Sequence, residues 1–284
     1  MSSLSHHASA AQIAALAATQ QQRLKELRLH ERPFVLAMAQ TPQHAATLKA
    51  AAELGVRVVL APGGAPPILA LAAGQAGVGL VVTVDAEDGS LRATGGESEE
   101  GEEHTQGPLR RWARAWASAG MCACATSGSG QFGSQLVAYR WAACDLQAQA
   151  TAARTLAEAA PNGGACRFVA ASSIGHAYNL NGMFGALAAD AELCLPANGE
   201  QLAATLAAPP AGCEATVLFA TPQMYSSLLQ QDPLLSGALR DALRAYAKPL
   251  YAFSAGCPLP HESRAKLGEM LGVRVMQVRG VAHC

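Results

Sequence analysis

The stretch richest in groups able to do chemistry is "ATSGSGQFGSQLVAYR", residues 125–140, where Thr126, Ser127 and Ser129 alternate with Gly128 and Gly130 ahead of an apolar run. Hydroxyls and backbone N–H groups converging from one loop cradle an anion, and glycine allows the positive φ and close backbone approach such a cradle needs. That combination suits a polyphosphate. Two familiar phosphate loops fit less well. Gly128, Gly130 and Gly133 spell GxGxxG, but a dinucleotide fingerprint needs a helix opening in the loop and an acid about 20 residues on. Here "SQLVAYR" reads as a strand, and no acid lies at the required place. A Walker A loop would need GK[ST] after the glycines, and none follows. A surface hairpin with no ligand would have the same small-residue composition.

The elements that must position this loop are legible in the apolar patterning. Half of the 284 residues are hydrophobic and 14% are charged, ample for the core of a globular protein of one α/β domain or two modest ones. "PFVLAMA" reads as a strand. "TPQHAATLKAAAELG" reads as a helix capped by Thr41, with Pro42 at its first position and Gly55 as its stop. "VRVVLAP", "PPILALAAGQAG" and "VGLVVTVD" continue the pattern as strand, helix and strand, so the segment is βαβαβ, the signature of a parallel sheet covered by helices. Residues 85–107 break this rhythm with "GGESEEGEEH", and repulsion among like charges predicts a hydrated, mobile loop. Alternation resumes from "MCACAT" to "VRVMQV". Before the first strand, the pattern reads as a helix up to about Arg28, and His6 and His7 belong to what reads as a frayed tail.

Composition also excludes whole classes of partner. A net charge of −1 with scattered Lys and Arg offers no field for nucleic acid or an anionic membrane. No uninterrupted apolar run of about 18 residues is present to span a bilayer. The eight cysteines lack paired CxxC spacing and lie mostly in apolar runs, as reduced, buried thiols do, so no metal site is expected. The start of the chain lacks a secretory signal, which points to the cytoplasm; its Ser- and Ala-rich run with no acid before Glu26 also suits an organellar transit peptide.

Four segments in order carry a family resemblance. "TSGSGQFGSQLV" resembles the phosphate loop, TSGSTGxPKGV, of the adenylate-forming superfamily of acyl- and aryl-CoA synthetases, luciferases and adenylation domains. "SSIGHAYNLNGMFGALAADAELCLP" is similar to the stretch in which a His opens the helix beside the acyl pocket. "ATVLFATPQMYSSLL" and "YAFSAGCPLP" resemble, respectively, the strand-Pro-helix that follows and the segment lying along adenine. The resemblance implies that Thr126, Ser127, Gly128, Ser129 and Gly130 bind the phosphates of ATP, that Ser254, Ala255 and Gly256 line adenine, and that His176 and Asn179 border the acyl group. It further implies ATP and Mg²⁺ as cofactors, a carboxylic acid as substrate, and CoA or a carrier-protein thiol as acceptor. The expected fold is α/β, with largely parallel sheets and flanking helices: a tail and helix over 1–31, an incomplete AMP-binding-type domain over 32–277, and a non-family tail over 278–284.

The departures set expectations of their own. The lysine of the family's loop is missing, its place falling at Gly133 and Ser134, and with it a point charge for phosphate. Where the family reads YGxTE, this chain reads "VRGVAHC", and the valine-arginine codons suit read-through of a splice site. These losses predict a truncated AMP-forming acid–thiol ligase, weakly active or inactive alone, with an unpaired sheet edge near "VRVMQV". The alternative is a non-catalytic relative that binds a nucleotide or an acyl chain. An NAD-dependent oxidoreductase, taking GxGxxG literally, is the third reading.

Overall fold

Thr41 and Pro42 do start a helix. The computed structural model describes residues 6–63, 78–95, 120–125, 136–160, 164–222, 224–226, 249–255, 258–271 and 275–277. In chain order its elements are β1 (His7–Ala8), α1 (Ala10–Glu26), β2 (Phe34–Met38), α2 (Pro42–Glu53), β3 (Val58–Pro62), β4 (Val81–Val84), β5 (Leu91–Thr94), β6 (Met121–Ala125), β7 (Leu136–Arg140) and α3 (Trp141–Ala159). There follow β8 (Ala165–Ala170), α4 (Ala177–Ala188), β9 (Glu192–Cys194), α5 (Gly199–Ala207), β10 (Cys213–Ala220), β11 (Leu250–Ser254), α6 (His261–Leu271) and β12 (Val275–Gln277). The Thr41 hydroxyl caps α2 by accepting from the His44 N–H, and Gly55, at φ +65°, ends it.

These strands form two six-stranded sheets. The first has the order β5-β4-β2-β3-β6-β7, parallel in its four central strands with antiparallel β5 and β7 at the edges. The second has the order β1-β9-β8-β10-β11-β12, parallel except for β1. The fold is therefore the mixed, mostly parallel α/β architecture that the patterning implies. Strands β2 and β3 are buried at every position, as expected of parallel strands covered on both faces. In β10 the pleat divides two cores. Val217 and Phe219 join the large one, which takes in residues of both sheets and of α3 and α4, whereas Leu218 and Ala220 join a smaller one with Leu202, Leu206 and Leu267 of α5 and α6.

Two segments depart from the sequence reading. His7 and Ala8 are a strand, not a frayed tail: they pair with Cys194 and Leu193, and the Leu195 N–H donates to the His6 carbonyl at 2.6 Å. Residues 85–94, read as the opening of a mobile loop, form a turn and β5. The Asp85 carboxylate accepts from the Glu87 and Asp88 N–H groups, and Gly89 takes φ +69°. Side chains from two helices then grip that turn, with Gln20, Arg23 and Gln43 donating to the carbonyls of Gly89, Asp88 and Glu87. Residues 96–119, which hold most of the acidic run, lie outside the described residues.

One buried charge belongs to this framework. Arg167 of β8 is 2% exposed and spends its guanidinium on Thr216 Oγ1 at 2.8 Å and on the carbonyls of Thr205, Leu206 and Ala208 at 2.6–3.3 Å. Those carbonyls are the unpaired last turn of α5, the end of a helix that carries partial negative charge.

Candidate functional site

Parallel strands all present their carboxyl ends on one side, where ligands bind in open α/β sheets. The two sheets meet on that side. In the first sheet Met38, the last residue of β2, lies level with Pro62 at the end of β3, and Cys124 of β6 is level with Leu60. Ala125 in turn pairs with Leu136 of β7, so β6 ends and antiparallel β7 begins at this same end. At about 4.8 Å per strand, β6 stands roughly 10 Å from β2. From the second sheet comes the turn after β8. Gly175 abuts the ends of β2 and β3 so closely that a β-carbon there would lie 3.2 Å from Met38 and 3.3 Å from Pro62. Gly175→Ala is expected to cost about 1–2 kcal/mol in urea unfolding, because Met38 and Pro62 must shift to admit it.

The turn is held by hydrogen bonds from several directions. Gln40, just past β2, bonds three of its backbone groups. Ser173 Oγ accepts from the Gly175 N–H at 3.2 Å, and its carbonyl accepts from the His176 N–H at 3.1 Å. His176 is half-buried and is the N-cap residue of α4, though its side chain makes no capping hydrogen bond. One turn on, Asn179 is fully buried; its Nδ2 donates to Ser172 Oγ, while its Oδ1 has no partner. His176 and Asn179 thus open a helix whose N-terminal, electropositive end faces the junction of the sheets.

Below this opening the packing is aromatic. Phe219 stacks between Phe168 and Phe253 with ring centroids 5.9 and 5.5 Å away, and the Tyr178 ring tilts against it at 5.6 Å. Gly182 and Gly185 let α4 press onto this stack, a β-carbon at Gly182 falling 3.1 Å from Phe219 and one at Gly185 falling 3.7 Å from Phe168. At Gly182 and Gly185 of "GMFGALAA", whose small residues hint at space for an aryl or alkyl group, the space is filled by Phe219, Phe168 and Thr151. Burial pushes the Tyr178 and Tyr225 hydroxyls well above the usual phenol range, so both stay neutral. The Tyr225 hydroxyl donates to the Phe253 carbonyl at 2.9 Å, and Ser254, at the end of β11, is buried with an unpartnered Oγ. Ala255 follows it, also buried.

Of the residues singled out in the sequence, His176, Asn179, Ser254 and Ala255 therefore sit at or beside the carboxyl ends of β8 and β11. Thr126, Ser127, Gly128, Ser129, Gly130 and Gly256 lie outside the described residues. Leu136–Arg140 is a strand, so the GxGxxG glycines do not run into the helix that a dinucleotide fingerprint requires. Among the described residues no group of His, Cys, Asp or Glu could hold a metal ion, and no helix is long and apolar enough to cross a membrane. Gln40 and Arg167 were missed. For Arg167 a signal existed in the sequence: a lone charge inside the otherwise apolar strand "ACRFVA".

The sequence matches no protein-family model and no curated protein. Solved structures do match it. The inhibitor-bound N-terminal domain of FACL13 from Mycobacterium tuberculosis aligns with a TM-score of 0.61 at 15% identity, over 95% of this chain and 68% of that one. An anthranilate CoA ligase, AuaEII, in complex with anthranoyl-AMP also gives 0.61, at 13% identity, over 95% of this chain and 53% of the ligase. A malonyl-CoA ligase with methylmalonyl-CoA and AMP bound gives 0.55, at 20% identity, over 94% of this chain and 54% of the ligase. The chain has the fold of the N-terminal part of adenylate-forming acyl- and aryl-CoA ligases, and it spans about half the length of these two ligases.

Proposed function

We propose that this protein is an AMP-forming acid–thiol ligase-like chain, which binds ATP and a carboxylic acid where its two sheets meet. The observation that carries the reading is a convergence. Strands β6 and β7, which flank the Ser/Thr/Gly segment, end and begin at the same end of the first sheet where Gly175, in the turn after β8, lies against Met38 and Pro62. Solved structures of the same fold are described with ATP, AMP or an acyl-AMP bound, which supports ATP as the nucleotide.

In this reading the hydroxyls of Thr126, Ser127 and Ser129, with the N–H groups of Gly128 and Gly130, cradle the triphosphate. Ser254, Ala255 and Gly256 lie along adenine, with the buried, unpartnered Ser254 Oγ supplying a hydrogen-bonding group. His176 and Asn179 border the acid at the N-terminus of α4, whose uncapped N–H groups favour an anionic carboxylate. A carboxylate oxygen attacks the α-phosphorus of ATP, the bond to the leaving pyrophosphate breaks, and the mixed anhydride with AMP forms. A thiol, of CoA or of a carrier protein, then displaces AMP. Holding the two reactants in line is the main service these residues offer, and the absent loop lysine removes one source of charge stabilisation. Turnover by this chain alone is accordingly weak or nil.

Isothermal calorimetry with ATP and Mg²⁺ on the full chain, run beside pyrophosphate release with a panel of carboxylic acids, tests this. ATP binding with release supports a ligase; binding without release supports a non-catalytic relative that keeps the nucleotide site; a folded chain that binds no ATP overturns both. Thr126→Ala, Ser127→Ala and Ser129→Ala are each expected to weaken ATP binding about tenfold, the loss of one charge-assisted hydrogen bond.

A further inference from the structure

The side chain of Gln40 projects from the residue two beyond the end of β2, yet its hydrogen bonds all reach the other sheet. Nε2 donates to the carbonyls of Ala170 at 3.0 Å and Ser172 at 2.6 Å, and Oε1 accepts from the Ile174 N–H at 2.9 Å. Strand β8 ends at Ala170, level with Phe219 of β10, and the last hydrogen bond to β10 runs from the Ala171 N–H to the Phe219 carbonyl at 2.9 Å. From that point the carboxamide of Gln40 acts as the next peptide group, spending both its hydrogens and its oxygen on alternate positions of one turn. The same turn carries Ser172, whose Oγ accepts from Asn179, and Ser173, whose carbonyl accepts from His176.

We propose that Gln40 is a positioning residue for the acyl site. It fixes residues 171–176, and through them His176 and Asn179, at a set height against the first sheet, whose β6 and β7 flank the proposed phosphate-binding segment. This rests on the reading that His176 and Asn179 border the acid. A reaction between two substrates held by different sheets is sensitive to such a setting, because a displacement of about 1 Å between reactants is enough to cost orders of magnitude in rate. The chemistry of the contact also selects glutamine. A glutamate has the same shape but turns an acceptor toward two carbonyl oxygens, and a leucine fills similar space without a hydrogen bond.

The test uses the full chain with Gln40→Glu and Gln40→Leu. Hydrogen–deuterium exchange is expected to quicken about tenfold or more in peptides covering residues 171–176, while peptides covering β10 keep their protection. Unchanged exchange in 171–176, or equal acceleration in β10, overturns the proposal. A second readout compares affinity for ATP with affinity for a benzoyl-sulfamoyl adenosine, a stable mimic of an acyl-adenylate. The variants are expected to bind the mimic about tenfold more weakly and ATP as well as the parent does. Equal losses for both ligands mark Gln40 as an ordinary stabiliser and sink the positioning role. A parent chain that binds neither ligand sinks the ligase reading instead, and exchange then decides the Gln40 proposal by itself.

Discussion

Arg167→Met is expected to lower the unfolding free energy by about 4 kcal/mol, measured by urea titration followed by circular dichroism. The loss comes from the groups left behind more than from the charge removed. Thr205, Leu206 and Ala208 close α5 with carbonyls that the guanidinium satisfies, and Thr216 offers it a hydroxyl from β10. A methionine of similar length fills the space, leaves the buried Leu206 carbonyl without this donor and strips the part-buried carbonyls of Thr205 and Ala208 of theirs. Arg167→Lys keeps the charge but not the fork, so its single ammonium reaches fewer of the acceptors and about half the loss is expected. Since domains of this kind are stable by only about 5–15 kcal/mol, the methionine variant should be near its folding limit at 37 °C. A methionine variant as stable as the parent would show that the helix end finds other donors.

Acidification should destabilise the fold through His44. This residue of α2 is 4% exposed, its Nδ1 lies 2.7 Å from the Thr41 hydroxyl, and its ring also bonds the Ala37 backbone. Neutral imidazole suits that setting, with Nδ1 accepting from Thr41 and the other nitrogen donating to the Ala37 carbonyl. Burial pushes its pKa from 6.5 down to about 4. Because the unfolded chain takes up the proton first, the stability due to His44 is fully present above about pH 7, falls as the pH drops through 6.5, and levels off below about pH 4. The full excursion is worth about 3 kcal/mol, of which about 2 kcal/mol is gone by pH 5. The measurement is the difference in urea stability between pH 7.5 and pH 5 for the parent and for His44→Gln. A variant whose stability falls as steeply as the parent's would assign the acid sensitivity to other groups.

Local signals account for most of what could be read from the sequence. Thr41, Pro42 and Gly55 bracket α2 because caps and stops act over a few residues, and the β-branched, aromatic run of "SQLVAYR" marks β7 without reference to any partner. Segments whose structure depends on distant chain were not legible. His7 and Ala8 have no strand signal of their own; Cys194 and Leu193 make them one. Leu91–Thr94 sits in a polar stretch, and β4 together with the grip of Gln20, Arg23 and Gln43 on its turn brings it into the sheet. In the site, His176 and Ser254 could be placed because strand ends are predictable from apolar runs. Gln40 could not, since all its partners lie in a turn beyond β8 that only the meeting of the two sheets brings near.

The pairing of β1 with β9 also bears on how the chain folds as it is made. His7 leaves the ribosome long before its partner Cys194, which follows only after the whole first sheet and β8 of the second have been synthesised. Closing so long a loop is slow compared with forming the local α1–α2 pair. Until it closes, β9 presents an open edge to other nascent chains. The N-terminal strand thus behaves as a late seal, so crowded synthesis at high expression should favour aggregates nucleated on β9, and slower translation or lower temperature should favour soluble protein.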